Sequence, residues 1–180
     1  MWAVLLHQTN GDGYCGWWSY ANWLADRGVQ VLTIDLCGYG DADCTSELAD
    51  DQQAQVVASV RHARSKGAAR VTLVGASMGG AVAAAAARQA KADAVVDLSG
   101  PPDWPGTELV RDSRSLTMPV LLAVSPTDAS YVPVYRKAIR AVPSARKQLV
   151  IAEAGHGYEL LGYGTTFRPF ATRVLAMVTG

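Results

Sequence analysis

A serine flanked by small residues stands where an apolar run meets an alanine-rich segment. Residues 71–80 read VTLVGASMGG, and alanine dominates positions 81–87. The G-x-S-x-G spacing around Ser77 is typical of a strand–turn–helix elbow that exposes a serine hydroxyl as a nucleophile. Such a hydroxyl needs a general base and an acid that orients the base. The candidates are His156, in a Gly-His-Gly sequence, and Asp128.

The same turn has a second interpretation as a dinucleotide-binding loop. Gly75 to Gly80 is a G-x-G-x-x-G sequence in which Ser77 replaces the second glycine, and Asp97 follows at the distance of a ribose-binding acid. Two features count against this interpretation. The serine Cβ occupies the space through which the backbone would approach a pyrophosphate, and the turn follows the third apolar run rather than the first. We therefore favour the nucleophile.

The residues of this site depend on strands and helices that bring them together. Near-continuous apolar runs are typical of strands buried on both faces. They alternate with segments of helical character, which predicts an α/β fold with a doubly wound, mostly parallel six-stranded sheet flanked by helices. The predicted strands are Trp2–Leu6, Val29–Leu36, Val71–Val74, Ala94–Leu98, Val120–Val124 and Gln148–Ile151, and the predicted helices are Trp17–Arg27, Glu47–Lys66, Gly79–Lys91, Ala129–Val142 and Phe167–Val178.

This topology explains how the three candidate residues can meet. Ser77, Asp128 and His156 follow the third, fifth and sixth predicted strands. The carboxyl ends of parallel strands lie at one edge of a sheet, where ligands bind. We therefore expect the three side chains to converge at that edge. Asp97 and Asp103, at and after the fourth strand, are weaker candidates for the acid.

Composition narrows the class of protein. Of 180 residues, 49% are hydrophobic and 18% charged, with 16 basic and 16 acidic side chains. This balance gives no reason to expect a nucleic acid partner. No apolar run approaches the ~20 residues of a membrane span. The first residues lack the features of a signal peptide, which favours a cytoplasmic location. Residues 1–180 are expected to form one domain, because the sequence shows no repeat or linker.

The three cysteines, Cys15, Cys37 and Cys44, lack a C-x-x-C spacing. We interpret them as reduced thiols, with a Cys37–Cys44 bridge as the minority alternative. The sequence contains neither an H-E-x-x-H motif nor a Cys/His cluster, so neither a metal nor another cofactor is expected.

Taken together, these motifs resemble those of the α/β-hydrolase superfamily over nearly the whole chain. The resemblance is carried by Trp2–Gly11, by the DLCGYG sequence at 35–40 and by the Ser, Asp, His order. It implies a serine hydrolase in which the backbone N–H groups of Met78 and Thr9 form the oxyanion hole. Gln8 stands where the family usually has glycine, and is an alternative donor. His7 is expected to hold this loop through hydrogen bonds.

The resemblance is to the minimal, lidless members of the superfamily. The connection 101–118 is too short for a lid domain, and Val29–Leu36 becomes an edge of the sheet. Because an apolar edge strand invites pairing, we expect either a truncated chain or a homodimer formed through this edge. Tyr14, Trp17 and Trp104 are candidate pocket residues.

The function implied by this resemblance is cleavage of a small carboxylic ester through an acyl-enzyme, without a cofactor. A lipase, thioesterase or lactonase would use the same three residues. A hydrolase-fold ligand receptor with negligible turnover is the alternative outside enzymes.

Overall fold

The computed structural model describes residues 1–10, 13–163, 166–167 and 169–180. The six predicted strands form with small changes in their bounds, and four short strands, which were not predicted, form as well. The strands are β1 (Trp2–Leu6), β2 (Gln30–Ile34), β3 (Val71–Ala76), β4 (Ala94–Leu98), β5 (Asp103–Trp104), β6 (Thr107–Glu108), β7 (Val120–Val124), β8 (Lys147–Ile151), β9 (Gly162–Tyr163) and β10 (Thr166–Phe167). Six of them form a parallel sheet in the order β2-β1-β3-β4-β7-β8, while β5–β6 and β9–β10 are antiparallel pairs. The doubly wound α/β fold is confirmed.

Helices cover both faces of this sheet. They are α1 (Gly13–Ala25), α2 (Ser46–Ala49), α3 (Gln52–Ser65), α4 (Met78–Ala86), α5 (Leu109–Ser113), α6 (Val132–Ala141) and α7 (Pro169–Thr179), with 3₁₀ turns at Pro126–Asp128 and Gly157–Leu160. Side chains alternate between the faces of a strand. In β1, Val4 and Leu6 join a core with α3, α4 and α6, whereas Ala3 and Leu5 join a core with α1 and α7.

The predicted helices form with changed bounds: α1 begins at Gly13 rather than Trp17, α4 ends at Ala86 rather than Lys91, and α7 begins at Pro169 because Phe167 belongs to β10. The two larger differences concern the other two predicted helices. The predicted helix Glu47–Lys66 is divided into α2 and α3, because the Asp51 side chain accepts a hydrogen bond from Ala54 N–H and so caps a new helix. The predicted helix Ala129–Val142 begins only at Val132, after the 3₁₀ turn at Pro126–Asp128. Both differences lie at helix starts, where a local side-chain bond competes with the helix ladder.

The interpretation of the cysteines as reduced thiols was wrong for two of them. Cys37 and Cys44 form a disulfide, with their Cα atoms 5.8 Å apart. The chain between them turns back through Gly38 and Gly40, both at positive φ, which places the two cysteines at bonding distance. The Cys37 N–H also donates to Gln55 Oε1, so the bridge sits against α3.

Strand β2 lies at one edge of the sheet, as the sequence predicts. Four of its five residues are half-buried, and Gln30 is exposed. Between β4 and β7 the chain forms the β5–β6 hairpin and the short helix α5. Within the described ranges, no helix is both long enough and apolar enough to span a membrane.

Candidate active site

Ser77 occupies a strained turn between β3 and α4. Its backbone adopts φ 49° and ψ −121°. Residues other than glycine rarely adopt a positive φ, so this conformation is strained. The turn closes because small residues surround it. A Cβ on Gly75 would collide with the Gly79 carbonyl, and a Cβ on Gly79 would collide with the Leu6 carbonyl. The sequence therefore allows a conformation that raises the hydroxyl above the edge of the sheet.

Neighbouring strand ends hold this turn in place. The Ser77 N–H donates to the Leu98 carbonyl at the end of β4, at 2.8 Å. The Gly79 N–H donates to the His7 carbonyl after β1, at 3.1 Å. The turn is thus tied on both sides to loops at the carboxyl edge of the sheet.

The structure brings Ser77, His156 and Asp128 together in one hydrogen-bonded chain. His156 Nε2 lies 2.8 Å from Ser77 Oγ, and His156 Nδ1 lies 2.9 Å and 3.0 Å from the two Asp128 carboxylate oxygens. An ionised carboxylate only accepts hydrogen bonds, so Nδ1 carries the proton and Nε2 is left to accept one from the serine. This is the protonation pattern in which a histidine can serve as a general base toward a serine.

The loops that carry the acid and the base are bonded to each other. The Ser125 hydroxyl donates to the Gly155 carbonyl at 2.5 Å, and the Gly155 N–H donates to Thr127 Oγ1 at 3.1 Å. The His156 N–H donates to Glu159 Oε2 at 3.1 Å, which fixes the start of the following 3₁₀ turn. These contacts set the spacing between Asp128 and the imidazole. Sequence inspection missed them, because Ser125 and Thr127 look like ordinary turn residues.

The two weaker acid candidates take no part in this chain of hydrogen bonds. Asp97 is fully buried and bonds to the Gly100 N–H and the Tyr135 hydroxyl. Burial raises the pKa of Asp97 to about 7, although both hydrogen bonds and the charge of His156 lower it in part. Asp103 is an exposed residue of β5. Asp128 is therefore the acid that contacts the histidine.

The candidate oxyanion donors lie on either side of the serine. Met78 is the first residue of α4, and the first N–H groups of a helix have no acceptor within the helix. The N-terminal end of the helix also favours negative charge. On the other side, Thr9 follows Gln8 in the loop after β1 and is exposed. The Gln8 backbone N–H donates to Tyr158 Oη at 2.9 Å, and one hydrogen of Gln8 Nε2 is donated to Asn10 Oδ1 at 2.8 Å. This favours Thr9 over Gln8 as the first donor.

His7 holds that loop from within the core, as expected. The Leu36 N–H donates to His7 Nε2 at 3.0 Å, so the ring proton is on Nδ1 and is donated to the Gln8 carbonyl at 2.8 Å. The ring is fully buried and its edge packs against Tyr39. Within the described part of the chain, both nitrogens of the His7 ring bond to backbone groups, which fits a supporting role.

The three aromatic candidates lie in different environments. Tyr14 is 57% exposed and packs on Trp18 along α1. Trp17 is fully buried, with its ring against Tyr158. Trp104 is half-buried and borders a cavity of about 330 Å³.

Trp104 is linked to the residue after the serine through Gln52. The Trp104 indole N–H donates to Gln52 Oε1 at 2.9 Å, and Gln52 Nε2 donates to Met78 Sδ at 3.5 Å. Val82, one helical turn beyond Met78, lines the same cavity. Of the three aromatic residues, Trp104 is thus the one connected to the serine turn. Gln52 was missed in the sequence, where it looks like a helix-surface residue.

The glycine-rich turn has few backbone amides left for a phosphate. The Gly79 N–H donates to the His7 carbonyl, and the Gly80 N–H donates to the Ser77 carbonyl at 2.7 Å. A dinucleotide loop presents such amides to its ligand, so this geometry counts against the dinucleotide interpretation. Among the residues described, no three or more His, Cys, Asp or Glu side chains group as metal ligands.

A serine turn at the end of a central parallel strand, bonded to a histidine and an acid from two later loops, is the arrangement that defines the α/β-hydrolase class. Residues 3–114 match the sequence profile of the alpha/beta hydrolase family. The chain therefore belongs to this family. The comparison with curated proteins gave no match.

Solved structures share the fold at low sequence identity. The esterase Pf2001 from Pyrococcus furiosus is 15% identical, with a TM-score of 0.79 over 99% of this chain and 82% of the esterase. The dienelactone hydrolase from Anabaena variabilis is 22% identical, with a TM-score of 0.74 over 99% and 85%. The monoacylglycerol lipase from Paleococcus ferrophilus is 16% identical, with a TM-score of 0.72 over 99% and 94%. At these identities the likeness establishes the fold.

Proposed function

We propose that the chain is a serine hydrolase that cleaves small carboxylic esters through an acyl-enzyme. The observation that carries this proposal is the continuous chain of hydrogen bonds from Asp128 through His156 to Ser77, with distances of 2.9 Å and 2.8 Å. A serine hydroxyl held at this distance from an acceptor nitrogen can lose its proton as it attacks.

In the first half of the reaction, Ser77 Oγ attacks the ester carbonyl and its proton passes to His156 Nε2. Asp128 stabilises the imidazolium that forms. The N–H groups of Met78 and Thr9 donate to the tetrahedral oxyanion. When this intermediate collapses, the alcohol leaves with the proton from Nε2, and the acyl group stays on Ser77.

In the second half, a water molecule attacks the acyl-enzyme. His156 Nε2 takes a proton from this water, and the second tetrahedral intermediate uses the same two N–H donors. Its collapse returns the proton to Ser77 Oγ and releases the carboxylic acid. No step needs a redox group or a metal ion.

The preference for small esters rests on the short connection between β4 and β7. The connection between β4 and β7 adds only a short hairpin and α5 over the sheet edge. A lipase, thioesterase or lactonase remains the alternative for the same site. Neighbours described as an esterase, a dienelactone hydrolase and a monoacylglycerol lipase illustrate that range.

The test is hydrolysis of p-nitrophenyl esters of increasing acyl length, from acetate to decanoate. We expect steady turnover that is fastest for the short esters. Ser77→Ala and His156→Ala should each lower kcat by about 10⁵- to 10⁶-fold, and by similar factors, because the residues act as a unit. A maximum at the longest acyl chains would instead favour a lipase.

A fluorophosphonate probe separates the enzyme from the receptor alternative. We expect the probe to label wild-type protein once and to leave Ser77→Ala unlabelled. Labelling without turnover of any ester, thioester or lactone would support a ligand receptor. If the probe left the wild type unlabelled while NAD(P) raised its melting temperature, the dinucleotide interpretation would replace our proposal.

A further inference from the structure

Two loops beside Ser77 are joined by a residue that the reaction above does not use. The loop after β1, residues 7–10, carries the candidate oxyanion donor Thr9. The segment 154–160 carries His156. Tyr158, two residues after the histidine, bonds twice to Gln8 in the other loop. Its hydroxyl accepts the Gln8 N–H at 2.9 Å, and its own N–H donates to Gln8 Oε1 at 3.4 Å.

The Tyr158 ring is itself held in place by helix α1. The ring meets Trp17 edge-on, with 4.8 Å between ring centroids. It also lies so close to Gly16 that a Cβ there would collide with the phenol. At Gly157 a side chain would meet Gln8 Oε1, which shows how tightly the two loops pack. The hydroxyl therefore has little freedom to leave the Gln8 N–H.

The contacts of Gln8 determine where the Thr9 N–H points. A peptide unit is planar and trans, so its carbonyl and the following N–H point in opposite directions. His7 Nδ1 fixes the Gln8 carbonyl at 2.8 Å and so fixes one side of the Gln8–Thr9 peptide. Tyr158 fixes the preceding peptide through the Gln8 N–H. The peptide groups before and after Gln8 are thus both fixed by hydrogen bonds, and together these two bonds set the direction of the Thr9 N–H.

We propose that Tyr158 is a positioning residue for the hydrolytic reaction, whose hydroxyl orients the Thr9 N–H toward the oxyanion by anchoring Gln8. This inference rests on the proposed function. It also gives a physical account of Gln8 in the place of the usual glycine: the longer side chain reaches the segment that carries the general base and ties it to the oxyanion loop.

The test is Tyr158→Phe, which keeps the ring and its packing but removes the acceptor of the Gln8 N–H. Loss of an oxyanion donor typically lowers kcat by ~10²- to 10³-fold. Here the Thr9 donor stays but is less well directed, so we expect kcat to fall by about 10-fold with KM nearly unchanged. Labelling by the fluorophosphonate and affinity for an alkyl boronic acid should fall by a similar factor, because both depend on the same tetrahedral geometry.

Tyr20→Phe is the matched control. Tyr20 is also a buried tyrosine whose hydroxyl bonds to the backbone, at the Ala171 carbonyl in α7. We expect this variant to stay within about two-fold of wild type in kcat. Both variants should show the cooperative thermal transition of the wild type, which shows that they are folded.

The outcomes separate this inference from the proposed function. If wild-type protein hydrolyses no ester and resists the probe, the proposed function fails. If the wild type is active and Tyr158→Phe matches Tyr20→Phe, the positioning role fails. The pH midpoint of kcat/KM should not move in Tyr158→Phe, because the bonds between Asp128 and His156 remain. A loss of rate that came with a shifted midpoint would mean that Tyr158 acts through the base, and would overturn the inference.

Discussion

Asp97 is a fully buried carboxyl group behind the serine turn, and its hydrogen bonds favour the neutral form. Its Oδ1 accepts the Gly100 N–H at 2.7 Å, and its Oδ2 lies 3.0 Å from the Tyr135 hydroxyl. That hydroxyl also lies 2.8 Å from the Gly100 carbonyl oxygen. A tyrosine has one hydroxyl proton and cannot donate to both oxygens. A protonated Asp97 satisfies every group, because it donates to Tyr135 while Tyr135 donates to Gly100.

The stability of the fold should depend on pH through this group. Burial raises the pKa of Asp97 from 3.8 to about 7 in the folded chain. Between these values the folded chain holds a proton that the unfolded chain has released, so the free energy of unfolding falls as pH rises. A difference of about three pKa units corresponds to about 4 kcal/mol, at ~1.4 kcal/mol per unit. This contribution is fully present below about pH 4 and is lost between about pH 4 and 7.

Asp97→Asn tests this reasoning, because asparagine has nearly the shape of a neutral carboxyl group. Its oxygen can accept the Gly100 N–H and its NH₂ can donate to Tyr135. We expect the variant and wild type to be about equally stable near pH 4. At pH 8 the variant should be more stable by up to about 4 kcal/mol, since it never pays the cost of a buried charge.

The assay is urea unfolding of both proteins at intervals between pH 4 and 8, comparing their free energies of unfolding at each pH. Other titrating groups are common to both chains and cancel in this difference. Asp26→Asn, at an exposed side chain on the surface, is the control for the change in net charge. A flat difference for Asp97→Asn, or a variant that is less stable at pH 8, would refute the neutral assignment.

Three further perturbations test other parts of the structure. Asp128→Asn should lower kcat by ~10³- to 10⁴-fold, because an amide does not hold the imidazole in the reactive tautomer; a nearly intact rate would mean that another group orients the base. Replacing Cys37 and Cys44 together with serine should lower the free energy of unfolding by about 2 kcal/mol, the loop-closure estimate for so short a loop; an unchanged urea midpoint would contradict it. Light scattering should report a dimer that Val31→Lys converts to a monomer, because lysine on an edge strand disfavours pairing; a wild-type monomer would count against pairing through β2.

The residues of the serine turn and its partners could be predicted because they obey a rule of topology. In a parallel sheet, whatever follows each strand meets at one edge. Ser77, Asp128 and His156 follow β3, β7 and β8, so their order along the chain was sufficient to bring them together. The turn itself could be predicted from the small residues around Ser77, because larger side chains at Gly75 and Gly79 would collide with the backbone.

The contacts of Gln8 and Tyr158 could not be predicted in this way. They depend on which way two loops face, and no periodicity or spacing in the sequence records that direction. The disulfide is similar: seven positions separate Cys37 from Cys44, and the chain between them turns back through two glycines at positive φ.

The edge strand β2, through which we expect the chain to pair, lies away from the catalytic residues. Strand β1 lies between β2 and the strand that carries Ser77, while β7 and β8, which carry the acid and the base, lie on the far side of that strand. The bonds that fix the serine turn run to the ends of β1 and β4, not to β2. After the end of β2, the Leu36 N–H bonds to the His7 ring. A change on the outer edge of β2 should therefore leave ester hydrolysis intact, whereas Leu36→Pro, which removes the N–H that bonds to His7, should reach the Gln8–Thr9 peptide through His7.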